Sequence, residues 1–530
     1  MRVRLGALAS AFALLVALPL GASADPSDDP EDQHSHGQSH SGPPELPPSP
    51  PGSQNMTLVG NSDKDGTTNS DLAFWQDLAF SGHYNGFRIL DISDPTSPVV
   101  LSDYFCRGPQ NDVSVYKLRN RLLLFQSIDT PQTQASCDGT VAGSSQDMPI
   151  SATFPGQREF GFEGIRVFDV TNPSAPVFLT GVPTACGSHT HTTIPDRDDQ
   201  RVLIYVSSYP LGSGITPGDS QAPANLRCES PHKKISIVEV PSKNPATAFV
   251  LREEPLSSDT APYPGASGSL APPFQACHDI QVLMKERIAI GACAGDGQIW
   301  DISNPANPSA SDGEPHTHIP FPGGTAPAQP GNDRWEFVHN AIITWDGRYF
   351  ALADETGGGG TAECDGSAEE KGGQSENGFY YFYPVVEPGA PTPTMLSRYM
   401  IPRPQGEEIC VSHNGNVIPT NDGYFLVAAY YQGGNTVVDF TDPANPTEIA
   451  FSDPSDAIGD ADSWSTYWYN DHIYANTGLG RRGATRNRGF DVYQLTDANG
   501  DVVTARKFHH MNPQTQEAFQ GVGDDGHNNN

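Results

Sequence analysis

CHDIQVLMKERIAIGACAGDGQIWDISNPANP, residues 277–308, holds one structural unit in its shortest form. Residues 277–283 are a short apolar-rich run, 284–287 a polar tip and 287–293 a run back. A Gly/Asp turn at 294–297 leads to a third run at 298–302. Ser303-Asn304-Pro305-Ala306-Asn307-Pro308 closes the unit, because its two prolines restrict φ and forbid helix continuation. Runs of five to seven residues rich in Ile and Val, bounded by turn residues, are strand signals. One such meander cannot bury both faces, so it needs neighbours like itself.

The closing segment locates those neighbours. Four clear copies read DISDPTSP at 91–98, DVTNPSAP at 169–176, DISNPANP at 301–308 and DFTDPANP at 439–446. Three degraded copies fill the gaps: EVPSKNP from Glu239, YPVVEPGAP from Tyr383 and QLTDANG from Gln494. Seven short-stranded units that each need neighbours imply radial repetition. The expected fold is all-β, a seven-bladed β-propeller over 56–508 with long loop insertions on one face. An open solenoid would need capping repeats at both ends, and neither end reads as one.

The pattern strand-Asp-(Ile/Val/Phe)-(Ser/Thr)-(Asp/Asn)-Pro-x-x-Pro resembles the LVIVD repeat family. The resemblance rests firmly on the four full copies and implies a propeller in an exported or surface bacterial or archaeal protein. It implies no reaction, since propellers host unrelated functions.

Outside the repeats, residues 1–24 carry Arg2 and Arg4, an apolar run from Leu5 to Leu20 and the ending Ala22-Ser23-Ala24, the pattern of a secretory signal peptide. Residues 25–55 are Pro, Ser, Asp and His with little to bury and are expected to be a disordered linker. Residues 509–530 are polar and read as a tail. The mature chain shows no membrane span, so an extracellular or cell-surface location and a monomer are expected. A net charge of −33 argues against nucleic acid and anionic membranes as partners. Eight cysteines in an exported chain point to disulfides. Cys277 with Cys293 flanks one hairpin, Cys186 with Cys228 and Cys364 with Cys410 each bracket an insertion, and Cys106 with Cys137 remains; these pairings are candidates only.

Chemistry must come from a site. Aligning the start of each unit's first strand gives Ser70-Asp71-Leu72, Asn111-Asp112-Val113, His189-Thr190-His191, His278-Asp279-Ile280, His339-Asn340-Ala341, His413-Asn414-Gly415 and Trp464-Ser465-Thr466. Histidine thus occupies one position in four consecutive units. First strands line the channel of a propeller, so His189, His278, His339 and His413 are expected to converge at one mouth. His191, two residues beyond His189, is expected on the same side. Such imidazoles would suit a transition metal, whether copper, zinc or iron, with Asp112, Asp279, Asn340 and Asn414 as outer partners. The competing expectation is a purely structural ring of polar groups that hydrogen-bonds neighbouring blades. His316 and His318 follow a closing segment and are assigned a structural or loop role.

The connection between second and third strands is short at 294–297 and 432–435 but long at about 127–163, 208–233, 355–377 and 478–488. In an up-and-down meander these loops emerge on the face where the first strand begins, which is the histidine face. At the ends of the second strands stand Tyr209, Asp296, Asp354, Glu355, Tyr430, Tyr431 and Gln432. Of these, Asp354 and Glu355 are candidate carboxylates and Tyr431 a candidate ligand contact. The sequence has no G-x-S-x-G elbow, P-loop, dinucleotide fingerprint or H-E-x-x-H. Two readings follow. The first is an extracellular binding or scaffold protein that holds a protein, glycan or small molecule on its loop face. The second is a metal-dependent oxidase or hydrolase built on the histidine arc, an arrangement similar to that of propeller oxidases such as the selenium-binding or methanethiol oxidase family.

Overall fold

The closing segment owes its consensus to two successive side-chain-capped turns. In the first copy Asp91 Oδ1 accepts from the Ser93 amide at 2.9 Å, and Asp94 Oδ1 then accepts from the Thr96 amide at 3.0 Å. The same pair recurs as Asp169 to Thr171 and Asn172 to Ser174, as Asp301 to Ser303 and Asn304 to Ala306, and as Asp439 to Thr441 and Asp442 to Ala444. Short carboxylate and amide side chains mimic a backbone turn in this way. Proline then fixes φ where the chain reverses.

These turns join third to fourth strands in a computed structural model that describes residues 52–141, 161–196, 200–210, 226, 228–260, 275–320, 337–355, 378–403, 405, 408–478 and 488–517. Seven small sheets with antiparallel blade strands form a seven-bladed β-propeller. The inner strands are Asn69–Trp75, Gln110–Leu118, Thr190–Asp196, Asp279–Leu283, Val338–Ile343, Gly415–Val417 and Ser463–Tyr469, which we number as blades one to seven. Each seam between adjacent blades is filled by its own apolar cluster; Trp300, Tyr205 and Ile280 pack between blades three and four, for example. The signal-peptide and most of the linker expectations fall outside the described residues.

Two features of the closure go beyond the repeat pattern. Blade seven takes its outer strand from the chain start: Met56–Ser62 pairs antiparallel with Gly489–Leu495, so the ring closes through both ends of the chain. Upstream of it, Gly52–Gln54, expected as linker, adds an edge strand to blade six. The second feature concerns residues 509–517, expected to begin a polar tail and found instead inside the fold. His510–Met511 pairs with the inner strand of blade one, and Thr515–Gln516 pairs in parallel with that of blade four. Asn512 bonds both the amide and the carbonyl of Val115 in blade two, each at 2.8 Å. Thr515 Oγ1 donates to Thr193 O in blade three, and Gln516 Nε2 to Ile343 O in blade five, each at 2.6 Å. This C-terminal strap is polar because the groups it meets inside the channel are backbone N–H and C=O, which need partners when buried.

The long connections leave from strand ends at the face where the inner strands begin. They run over 133–161, 208–233, 355–379 and 478–488, against the two-residue turns Tyr84-Asn85 and Ala294-Gly295. The connections between blades also lengthen there, at 256–278, 320–337 and 400–414, which the repeat alignment had not singled out. Disulfides join Cys106 to Cys137, Cys186 to Cys228 and Cys277 to Cys293, matching three of the four candidate pairs. The fourth involves Cys364, which lies outside the described residues.

Candidate metal centre at the channel mouth

The inner strands deliver the histidines to one ring. His189, His278, His339 and His413 are each no more than 1 % exposed. Their imidazole centroids step round the mouth at 4.4, 4.0 and 4.3 Å. Trp464 of blade seven continues the row at 4.9 Å from His413, and its ring lies 6.1 Å from that of Tyr84 in blade one. Tyr84 donates to Gln110 Oε1 of blade two at 3.1 Å, and Gln110 Nε2 lies 2.8 Å from His189 Nε2. All seven blades therefore contribute to a closed belt. In blade two the ring position belongs to Gln110, because Gln110 and Asn111 both have positive φ and turn Asn111 toward the His83 and Gly86 carbonyls.

A second set of residues interleaves with the first. Near the ring-face end of the second strands stand Tyr84, Asp129, Tyr209, Glu355 and Tyr431. Tyr84 and Glu355 directly follow theirs, Tyr209 and Tyr431 come two residues after, and Asp129 lies within a strand that runs on to Gln132. The side chains of Tyr84, Asp129, Tyr209, Glu355 and Tyr431 reach the ring residue of their own blade, the next one, or both. Asp129 Oδ2 lies 2.7 Å from His189 Nδ1, and Tyr209 OH 3.2 Å from His189 Nε2. With Gln110 as a third neighbour, both nitrogens of His189 are engaged by protein groups. Glu355 lies between two histidines, with Oε2 3.4 Å from His339 Nε2 and Oε1 3.3 Å from His413 Nε2. The Tyr431 hydroxyl donates to Glu355 Oε1.

The proton positions follow from these contacts. His413 Nδ1–H donates to the Trp464 carbonyl, which leaves Nε2 as the lone-pair nitrogen. That lone pair faces a carboxylate oxygen, acceptor against acceptor, and His413 Nε2 and Glu355 Oε2 are both buried without a hydrogen-bond partner. Asp279 Oδ1 accepts from His278 Nδ1 at 3.1 Å, so the lone pair of His278 is on Nε2. Ligand atoms of His278, His339 and Glu355 all lie within 4.8 Å of one another. Two imidazoles and a carboxylate in a buried cluster could hold a metal ion.

Other expected site residues take different roles. His191 does not join the ring. It lies in the seam between blades two and three, with Nε2 2.6 Å from Ser114 Oγ and Nδ1 2.8 Å from Ser127 Oγ, because side chains of an inner strand alternate between adjacent blades rather than all facing the axis. Burial pushes the His191 pKa down to about 3. Asp354 Oδ1 accepts from the Phe337 amide at 3.0 Å and so secures the blade-five strand start instead of entering the ring. Asn340 Nδ2 donates to His413 O at 2.9 Å and Asn414 Oδ1 at 3.1 Å, which fixes blade five to blade six. Asp112 is buried one residue past the ring position, and desolvation first, then the Asp71 and Asp279 carboxylates, hold its pKa well above the usual range. His316 and His318 lie on the outer strand of blade four, His316–Ile319, where His318 pairs with Asp296 of the third strand.

Alignment of first strands missed Gln110 and Asp129. A backbone bulge displaces Gln110 from the column, while Asp129 sits in a strand that continues to Gln132, past the expected end at Ser127.

No curated protein matches the chain. A family model described as LVIVD repeat matches residues 73–105, which begin inside the inner strand of blade one and end with its outer strand at Phe105. The protein is a β-propeller that carries an LVIVD repeat in its first blade.

Proposed function

We propose that this propeller is a metalloprotein whose channel mouth binds one transition-metal ion through His278, His339 and Glu355, with His413 on the far side of the shared carboxylate. One observation carries the reading: Glu355, fully buried, presents its two oxygens to the Nε2 atoms of two histidines at 3.3 and 3.4 Å. The Tyr431 hydroxyl donates to Oε1, yet that oxygen still faces the His413 nitrogen at 3.3 Å. Here the His413 nitrogen arrives as an acceptor, so a cation or a proton must lie between. A metal of this donor set acts as a Lewis acid or a one-electron carrier. Tyr431 beside Glu355 and Tyr209 beside His189 supply hydroxyls at the rim for proton transfer. Three disulfides fit folding in an oxidising compartment, in keeping with export.

Elemental analysis of the purified protein, after loading with zinc, copper or iron(II), tests the reading beside a variant carrying His278→Ala and His339→Ala. One equivalent of metal in the wild type, lost in a still-folded variant, is expected. No bound metal in the wild type under any loading would overturn it.

A second reading rests on the long connections that leave from strand ends at the ring face. There the loops would hold an extracellular protein, glycan or small molecule, and the belt would serve to close the ring. Capture of a ligand by the double histidine variant as well as by the wild type would favour that reading.

A further inference from the structure

We infer that the C-terminal strap is part of the metal centre's support, and that Gln514 is a positioning residue acting on His278 through Asp279. The inference rests on the metal-binding reading above. Its geometry is a chain of two hydrogen bonds. Gln514 Nε2 donates to Asp279 Oδ2 at 2.7 Å, and Asp279 Oδ1 accepts from His278 Nδ1 at 3.1 Å. One carboxylate therefore joins the strap to a ligand histidine. Asp279 is fully buried and Gln514 nearly so, which keeps water from substituting for either partner.

The backbone locks this side chain in register. Val282 N donates to Gln514 O at 2.9 Å, Met284 N donates to Gln516 O at 2.8 Å, and Gln281 Nε2 donates to Pro513 O at 3.2 Å. The strap thus lies directly on the blade-four inner strand that begins beside His278. Its remaining contacts lead to blades one, two, three and five, so its seating reports on the closure of the whole ring. A ligand histidine held by a carboxylate keeps one tautomer and one ring orientation, and loss of such an outer partner typically weakens metal binding by about 10- to 100-fold. Gln514 extends that support one residue further: it fixes the carboxylate that fixes the imidazole. By reciprocity, metal at the mouth should also hold the strap in place.

The experiment measures zinc affinity by chelator competition, and the cobalt(II) absorption spectrum, for the full-length wild type, Gln514→Leu and Gln516→Leu. Gln516→Leu removes a strap contact of similar kind, to Ile343 O in blade five, that does not reach Asp279. Weakening of zinc binding by about tenfold with an altered cobalt spectrum in Gln514→Leu is expected. In Gln516→Leu both should stay near wild type, even if the two metal-free variants melt at equally lowered temperatures. Amide exchange in residues 510–516 should slow when the wild type takes up zinc. Wild-type zinc binding with unchanged affinity in Gln514→Leu would overturn the strap's role and leave the metal centre standing. Equal losses in both variants would overturn it too, as a purely structural effect. A wild type that binds neither zinc nor cobalt would remove the metal centre and this inference with it.

Discussion

Blades three to six and blades seven, one and two complete the same belt at the channel mouth by different means. The first arc uses one first-strand position throughout, whereas in the second Tyr84 comes from the end of a second strand and Gln110 from beside a bulge. The first arc presents His189, His278, His339 and His413; the second presents Trp464, Tyr84 and Gln110, joined by ring contact and hydrogen bonds. The second arc is internally satisfied: tyrosine hydroxyl to amide oxygen, amide nitrogen to imidazole. The first arc is not, because the lone-pair nitrogen of His413 faces the Glu355 carboxylate, and His413 Nε2 and Glu355 Oε2 are both left without a hydrogen-bond partner. Repetition therefore decides where a side chain stands, and the residue that the neighbouring second strand supplies decides whether it is a strut or a ligand. His189 shows this within the histidine arc itself. Asp129, Gln110 and Tyr209 engage both its nitrogens, while His339 and His413 share a carboxylate.

The sharpest way to break the comparison is to remove the group that distinguishes the arcs. Glu355→Ala should abolish stoichiometric metal binding, whereas Gln110→Ala in the opposite arc should retain one equivalent. Both are read by elemental analysis after dialysis. Retention of metal by Glu355→Ala would show that the carboxylate is only a hydrogen-bond acceptor for Tyr431. Loss by Gln110→Ala would show that the belt acts as one undivided unit.

Disulfides sharpen the same contrast with a smaller effect. Cys277–Cys293 ties the residue before His278 to the end of the next strand, with a sequence separation of 16. Cys106–Cys137 does the equivalent between blades one and two, with a separation of 31. Replacing either pair by serine should cost about 2–4 kcal/mol in denaturant unfolding. Only the Cys277/Cys293 replacement should also weaken metal binding, because only it frees the backbone beside a ligand. Equal metal affinity in both variants would mean that Asp279 alone holds His278.

How much of this was legible beforehand follows from what a repeat can encode. Asp91, Asp94 and their counterparts recur because each turn needs the same two caps, so the blade count could be read from one closing segment. The histidine column was legible for the same reason. Its members' roles were not, since these depend on contacts between blades: Glu355 with His413 of the next blade, and Asp129 with His189. His191 was misplaced because two residues along a strand returns to the same sheet face, and in a propeller that face meets another blade rather than the axis. The strap and Met56–Ser62 carry no repeat at all. Both are single-copy segments whose polar or mixed composition makes sense only against the channel or the open edge they occupy.

His191 lies where the two arcs meet, and its titration offers a milder test of the boundary. Its ring lies between two serine hydroxyls, and desolvation lowers its pKa from the ordinary 6.5 to about 3, so it is neutral in the folded protein. Above pH 6.5 neither the folded nor the unfolded chain protonates it, so its contribution to stability is fully present. Between 6.5 and 3 the unfolded chain binds a proton that the folded one refuses, and stability falls by about 1.4 kcal/mol per pH unit. His232, also lowered to about 3 by burial, behaves in the same way. His191→Gln keeps a polar group in the seam but removes its share of that slope. Denaturant unfolding at pH 7.5 and pH 5 should therefore show the variant's deficit relative to wild type shrinking by about 2 kcal/mol at the lower pH. A deficit that stays constant would mean that His191 takes up a proton while folded. The seam between blades two and three would then be wetter than its two hydroxyl contacts imply.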